Sequence, residues 1–275
     1  MSERISPTAH YTGYVWVAHG CSHDAFATRT GRAMYRALRP VNAAAHAMGM
    51  PTLEGMLLAR HHAIDHCLER AIEAGEIGQV VEVACGLSPR GWRLRQRYGD
   101  ALDYVEADLP GMIARKRDVL AQLGASPHHR TAEIDALADS GPTSIDALCT
   151  SLDPARGTAI VTEGLVNYFD RATITAMWAR FARALARFPH GMYVSDLVTQ
   201  DVAQGGLVAA FRRLLGAFVR GSLHIDFADG ADAERALEAA GFAAAAAYAP
   251  RDLVGDMPGI DPAGAGVVRV LEATR

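Results

Sequence analysis

Lysine is almost missing from this chain: of its 27 basic residues, only Lys116 is not an arginine. One reading is chance survival in an arginine-biased chain; the other is a place where a compact ammonium is needed and the planar fork does not fit. Long apolar runs are also missing, so no membrane-crossing helix is expected. The first residues, "MSERISPTAHYTGY", contain no apolar signal core. Cys21, Cys67, Cys85 and Cys149 show no CxxC spacing, which argues against a disulfide framework or a thiolate metal site. A cytoplasmic setting with reduced thiols is the resulting expectation. There is no basic block and the formal charge is −4, so no nucleic-acid partner is expected. A small-molecule acceptor is the expected partner, and a homodimer stays open.

What is present is a chain of 275 residues, half of them hydrophobic, with no internal repeat and no long linker. One large core follows from that length. "SHDAFATRTGRAMYRALRP" reads as a helix ending at Pro40. "TLEGMLLARHHAIDHCLERAIEAG" reads as a second helix, with Thr52 as N-cap and Gly75 at its end. From residue 79 the pattern alternates. Strands are expected at Val80 to Ala84, Asp103 to Ala107, His129 to Glu133, Thr158 to Thr162 and Gly191 to Leu197, with helical stretches between them. Such alternation predicts a mostly parallel sheet covered on both faces. The last two strand-like stretches, "FAAAAAYAP" and "GVVRVLEATR", are joined by a linker too short for a crossover helix, so an antiparallel edge hairpin is expected. The expectation is a seven-stranded α/β Rossmann-like domain: a helical cap over 1–78, a ligand-binding core over 79–198, a lid insertion over 199–230, and a terminal helix and hairpin over 231–275. The apolar stripe from Leu207 to Val219 suggests the lid, or an interface.

"VVEVACGLSPRGW" runs a hydrophobic strand into a glycine-bearing turn. In a doubly wound sheet the ligand lies beyond the carboxyl ends of the strands, and glycine lets the backbone approach it. Gly86, Ser88 and Gly91 match GxGxxG only with serine in place of the second glycine, and Pro89 removes one N–H from a phosphate cradle. A ligand with an amino-acid end, a nucleoside end and no phosphate tolerates such a loop; S-adenosylmethionine is that ligand. The acid expected to hold ribose hydroxyls is Asp108 in "DYVEADLP", 22 positions after Gly86, with Glu106 as runner-up on the same side of the strand. Asp108 also suits a helix N-cap before Pro110.

"LLARHHAID", "EVACGLSPRGWRL", "YVEADLPGMIARKRDVL" and "VTEGLVNYFD" together resemble the leucine carboxyl methyltransferase family of class I S-adenosylmethionine-dependent enzymes, which includes tetracenomycin-type polyketide O-methyltransferases. The resemblance spans roughly residues 10 to 200. It implies that Arg60 holds the methionine carboxylate, Gly86 approaches the methionine moiety and Asp108 holds the ribose. Asp135 and Ala136 would lie beside the adenine, although the family often has an Asp-Leu pair there. Glu163, at the end of the fourth strand, would face the amino-acid end of the cofactor. Glu82, Leu109 and Gly164 complete the expected cofactor-binding set. Lys116 falls at the family's helix lysine, with its role open. The acid that often follows the family's GAG loop is replaced here by Ser88.

Methyl transfer is an in-line displacement, and positioning alone can supply about 7–11 kcal/mol. A carboxylate acceptor is already ionised, whereas a hydroxyl gains about 10²- to 10⁴-fold from a general base. Candidates for that base are His19, His23 and His224, with Tyr14 among the aromatics (Tyr11, Tyr14, Trp16) that could line an acceptor pocket. Arg212, Arg213 and Arg220 could steer an acidic substrate. His62 and His66 have i, i+4 spacing but no HExxH glutamate and no third ligand, so no metal is expected. The expected function is S-adenosylmethionine-dependent O-methyl transfer to a polyketide-like small molecule. Methyl esterification of a protein C-terminus, NAD-dependent oxidoreduction and a catalytically silent cofactor-binding module are the alternatives.

Overall fold

The computed structural model describes residues 7–124, 126–203, 223–254 and 262–275. The expected lid stripe from Leu207 to Val219, with Arg212, Arg213 and Arg220, lies outside them. Three N-terminal helices, α1 (Pro7–Ala18), α2 (Arg29–Ala47) and α3 (Leu53–Glu73), precede the sheet. Strands β1 (Gln79–Val83), β2 (Asp103–Asp108), β3 (His129–Glu133), β4 (Thr158–Thr162) and β5 (Gly191–Leu197) alternate with helices α4 (Arg90–Tyr98), α5 (Pro110–Leu123), α6 (Ile145–Cys149) and α7 (Arg171–Leu185). After β5 come α8 (Gln200–Ala203), α9 (Gly230–Ala239), β6 (Ala244–Tyr248), α10 (Pro250–Val254) and β7 (Arg269–Thr274).

The sheet order is β3-β2-β1-β4-β5-β7-β6. The first five strands are parallel; β7 pairs antiparallel with both β5 and β6, which gives the expected edge hairpin. Strands buried on both faces need no polar alternation, and β1, β4 and β5 are buried along their whole length. Successive residues serve opposite layers. Val81, Val83, Ile160 and Tyr193 pack with Trp178 and Phe181 of α7, whereas Val80, Ala159, Val161 and Val194 pack with Ile64 and Leu68 of α3. Each such aliphatic side chain contributes about 1.5–3 kcal/mol by leaving water. A third cluster joins α1, α2 and the start of α3 through Tyr11, Val15, Trp16, Leu38 and Leu57.

Thr52 caps α3 as expected, its Oγ1 accepting from the Gly55 N–H at 2.9 Å. One expectation about the cap needs correction. The helix expected to stop at Pro40 begins later, at the Thr28 N-cap, and continues through Pro40 to Ala47. Burial of Leu38 and Asn42 on one face holds it together across the proline. Residues 7–18 also form a helix, one that their glycine and β-branched residues did not announce. Because Pro40 is exposed and lacks the N–H that would bond to the i−4 carbonyl, Pro40→Ala is expected to stabilise the protein by about 1–3 kcal/mol. A thermal midpoint unchanged or lowered in calorimetry would contradict this.

Candidate active site

Strand order reverses between β1 and β4, and the carboxyl ends of β1, β2, β4 and β5 meet there, with Val83 opposite both Ala107 and Thr162, and Thr162 opposite Ser195. A crevice at such a switch point is where open α/β sheets bind ligands. The chain leaves β1 through Ala84 and Gly86, both in the left-handed region with φ of 54° and 51°. For an alanine this costs about 1–2 kcal/mol, so the surroundings must impose it. They do so from three sides. Asp108 accepts the Gly86 N–H at 2.8 Å and the Leu109 N–H at 2.7 Å. The Cys85 N–H donates to the Ala107 carbonyl, and Lys116 Nζ donates to the Ser88 carbonyl at 2.5 Å. Burial pushes the Asp108 carboxyl up, opposed by those two backbone donors.

Lys116 and Glu106 explain each other. The ammonium is fully buried 2.7 Å from Glu106 Oε2, while His129 Nε2 lies 3.1 Å from Oε1. Glu106 is thereby committed inside the protein, which removes the runner-up for the ribose and leaves Asp108 at the strand end. Gly91 packs its backbone onto this pair, since a Cβ there would come within 2.7 Å of Glu106 and His129. The third glycine of the loop thus serves close helix–strand packing. Burial also pushes the Cys85 thiol well above its usual range, so it is no nucleophile.

Arg60, Glu163 and Gly164 are brought together at the end of β4. Arg60 donates through Nε to Glu163 at 3.1 Å and through Nη1 to Asp196 at 3.0 Å. Gly164, with φ of 68°, gives its N–H to Asp196 at 2.6 Å, and a Cβ on it would come within 2.9 Å of the Arg60 guanidinium. Behind this pair lies an ionic cluster that the sequence did not announce. Fully buried Arg90, in the first turn of α4, donates to Asp65 at 2.6 Å, to Glu163 at 2.6 Å and to Glu82. Glu82, expected to bind cofactor, accepts from Arg90 and from the Tyr104 hydroxyl. His61 Nδ1 lies 2.8 Å from Glu163 and Nε2 lies 2.9 Å from Arg93. A neutral ring with its proton on Nδ1 satisfies both, and burial lowers the pKa accordingly. Burial pushes the Glu163 carboxyl up, but His61, Arg90 and Arg60 outweigh it and hold the group well below the usual range.

The remaining expected residues are spread more widely. Leu109 is an exposed apolar side chain at 44 % beside Asp108. Asp135 accepts the Leu137 N–H, and the Ala136 carbonyl accepts from Arg180. His19 pairs with Glu54 at 2.9 Å, His23 accepts the Ala25 N–H, and the backbone of His224 is tied to Asn167 on both sides. Tyr14 packs edge-on against Tyr35 and lies under Arg32. Among the described residues, none of these four is hydrogen-bonded to or ion-paired with Arg60, Asp108 or Glu163. Asn167 also holds the exit of β5, donating to the Val198 carbonyl and accepting its N–H; it sits inside "EGLVNYFD", the one signal that could have singled it out. Helix α1 covers the glycine loop: a Cβ at Gly13 would lie 2.9 Å from Leu87, and one at Gly86 would meet Ala9 at 3.8 Å.

The family model for leucine carboxyl methyltransferase matches residues 18–182. The chain belongs to that family. It is 38% identical over 128 residues to a Mycolicibacterium paratuberculosis protein assigned as an S-adenosyl-L-methionine-dependent methyltransferase, covering 46% of this chain and 39% of that one. A Mycobacteroides abscessus protein with the same assignment is 34% identical over 157 residues, covering 53% and 50%. The matched stretch therefore spans half or less of those relatives' own length. Among solved structures, a methyltransferase from Thermobifida fusca superposes with a TM-score of 0.66 at 13% identity, covering 99% of this chain and 96% of that one. An O-methyltransferase family protein from Burkholderia thailandensis gives 0.55 at 16% identity, over 98% and 69%. At those identities the likeness establishes the fold, a class I methyltransferase-like sheet.

Proposed function

We propose that this leucine carboxyl methyltransferase family chain transfers a methyl group from S-adenosylmethionine to an oxygen, carboxylate or hydroxyl, of a small molecule of polyketide-like type. The observation that carries this reading is the pairing at the switch point: a left-handed Ala84–Gly86 turn held by Asp108 on one side, and Arg60 with Glu163 and Gly164 on the other. The residues fit the cofactor chemically. Asp108 is an acid at the strand end suited to a ribose diol, and Arg60 with Glu163 and Asp196 offers both signs of charge to an amino-acid end. Nothing in the loop is built for phosphate, because Pro89 lacks an N–H. When bound, the cofactor supplies an electrophilic methyl on a sulfonium; what the chain supplies is orientation, with α1 packed over the glycine loop.

A hydroxyl acceptor calls for a base, and His19 is the histidine equipped for that work, since Glu54 bonds to one ring nitrogen and can orient the ring. A carboxylate acceptor needs no base. Calorimetry with S-adenosylhomocysteine and NAD tests the reading, the first expected to bind and the second not. Arg60→Ala is expected to weaken S-adenosylhomocysteine roughly tenfold or more. NAD binding without S-adenosylhomocysteine binding would sink the proposal, and an unaltered affinity in Arg60→Ala would remove that residue from the site.

A further inference from the structure

We infer that Asp196 is the positioning residue of Arg60: from the interior of β5 it fixes where the guanidinium points, and so sets how strongly the site holds a carboxylate at the cofactor's amino-acid end. This rests on Arg60 being the group that holds that carboxylate, and deepens that reading. Arg60 reaches the site from α3, and Glu163 and Gly164 stand in the loop beyond β4. Asp196 belongs instead to a strand paired on both edges, with β4 up to Ser195 and with β7 through Val270. Its backbone cannot shift without breaking the sheet. Its two oxygens are divided between two elements. Oδ2 accepts from Arg60 Nη1 at 3.0 Å, and Oδ1 accepts the Gly164 N–H at 2.6 Å. One carboxylate thus fixes the arginine and the loop beside it, and the fit is close, since a Cβ on Gly164 would come within 2.9 Å of Arg60 Nη2.

A guanidinium carries five N–H donors in a rigid fork, so holding two of them aims the rest. Glu163 takes the donor on Nε and Asp196 one on Nη1, while Nη2 bonds to nothing among the described residues. The two acids are not equivalent. Glu163 also accepts from Arg90 at 2.6 Å and lies 2.8 Å from His61 Nδ1, so it is engaged in the buried cluster with or without Arg60. Among the described residues, the ion pair of Asp196 is with Arg60 alone. Asp196→Asn therefore leaves Glu163 as the acid that holds Arg60, and the guanidinium is expected to turn toward it. The amide cannot replace the acid in place, because its oxygen serves either Arg60 or the Gly164 N–H and its NH₂ then meets the other donor. Charge alone gives the opposite sign. Taking a negative charge from beside an anion-binding arginine makes the place more positive and strengthens its hold on a carboxylate.

Calorimetry with four ligands separates these accounts: S-adenosylhomocysteine, its decarboxylated analogue, its deaminated analogue, and methylthioadenosine, which lacks the amino-acid end altogether. Asp196→Asn is expected to bind the two carboxylate-bearing ligands, S-adenosylhomocysteine and the deaminated analogue, about tenfold more weakly than the wild type. The decarboxylated analogue and methylthioadenosine are expected to bind as before. Unchanged or tighter binding of the carboxylate-bearing ligands overturns the inference. So does a loss that the decarboxylated analogue shares, because Asp196 would then hold the ammonium itself or support the crevice as a whole. Should Asp196→Asn fail to fold, Arg60→Met is compared with Arg60→Met/Asp196→Asn, since losing both partners of a buried pair is tolerated better than losing one. Equal affinity of those two for S-adenosylhomocysteine is expected, and a further loss in the double variant overturns the inference, as Asp196 would then act without Arg60. Unaltered affinity in Arg60→Met removes that residue's role and this inference together. A weakened Arg60→Met beside an unaffected Asp196→Asn defeats the inference alone.

Discussion

Arg90→Met is expected to lower the free energy of unfolding by about 3–5 kcal/mol, the cost of removing one partner from a buried ion cluster. Methionine roughly keeps the volume of the side chain, so the loss reads charge rather than packing. Arg90 donates to acids on three different elements, Asp65 of α3, Glu82 of β1 and Glu163 beyond β4. Removing it leaves those acids in a place water does not reach. They are not wholly abandoned, since Arg93 still holds Asp65, Tyr104 holds Glu82, and Arg60 with His61 holds Glu163. That residual pairing places the expectation at the lower end of the range. A control at the surface sets the scale: Arg70, half exposed beside Glu272, should lose under ~1 kcal/mol when changed to methionine. Chemical denaturation of both variants decides the matter, and equal losses would contradict the account.

The same cluster sets the response to acid. Burial pushes the Asp65 carboxyl up, but the guanidiniums of Arg93 and Arg90 outweigh it and hold the group well below the usual range, as happens at Glu163. A carboxylate with a depressed pKa in the folded state contributes stability that is fully present above its unfolded value of about 4 and is lost as pH falls below it. Unfolding free energy should therefore decline steeply below pH ~4 in the wild type. In Arg90→Met the decline should be shallower, because less stabilisation of the ionised acids remains to be lost. Parallel slopes would show that Arg90 does not depress either group.

The central strands were legible because a two-faced parallel sheet writes itself as short apolar runs: Thr158 to Thr162 and Gly191 to Leu197 have the expected limits, as does the polar edge strand His129 to Glu133, which was placed by its position in the alternation of strands and helices. The Gly86–Asp108 pair was legible for a related reason, since a strand, a turn and one helix fix how far along the chain the second strand ends. Glu106 and Asp108 share a side of β2, and no pattern in the chain ranks them. The ranking came from Lys116, which reaches back from α5 to occupy Glu106. Arg60 and Glu163 were singled out through family resemblance, but the residues they bond to were not. Asp196 lies 136 residues from Arg60, and such a pairing is set by the sheet order rather than by local spacing. Helix α1 escaped notice because tertiary burial of Tyr11, Val15 and Trp16 overrides its weak local preference.

The second large effect is expected at Asp108. Asp108→Ala removes the acceptor of two backbone N–H groups, at 2.8 and 2.7 Å, and with it the brace that keeps Gly86 in its left-handed turn. Two charge-assisted hydrogen bonds of about 1.5–3 kcal/mol each, at 1.4 kcal/mol per tenfold, put the loss of S-adenosylhomocysteine affinity at 100-fold or more. Asp108→Asn keeps one acceptor for the loop and should lose about tenfold. Those two variants separate a strong role from a weak one, but not a ribose contact from a loop brace, since either role weakens binding. A 2′-deoxy analogue of S-adenosylhomocysteine separates them. If Asp108 holds the diol, the analogue binds the wild type more weakly than the parent compound, and that gap closes in Asp108→Asn, because the group that read the hydroxyl has been altered in both partners of the cycle. If the gap is the same in both proteins, Asp108 braces the loop without touching the ribose, and since Glu106 is sealed behind Lys116, the diol must find its partner elsewhere along the carboxyl edge of the sheet.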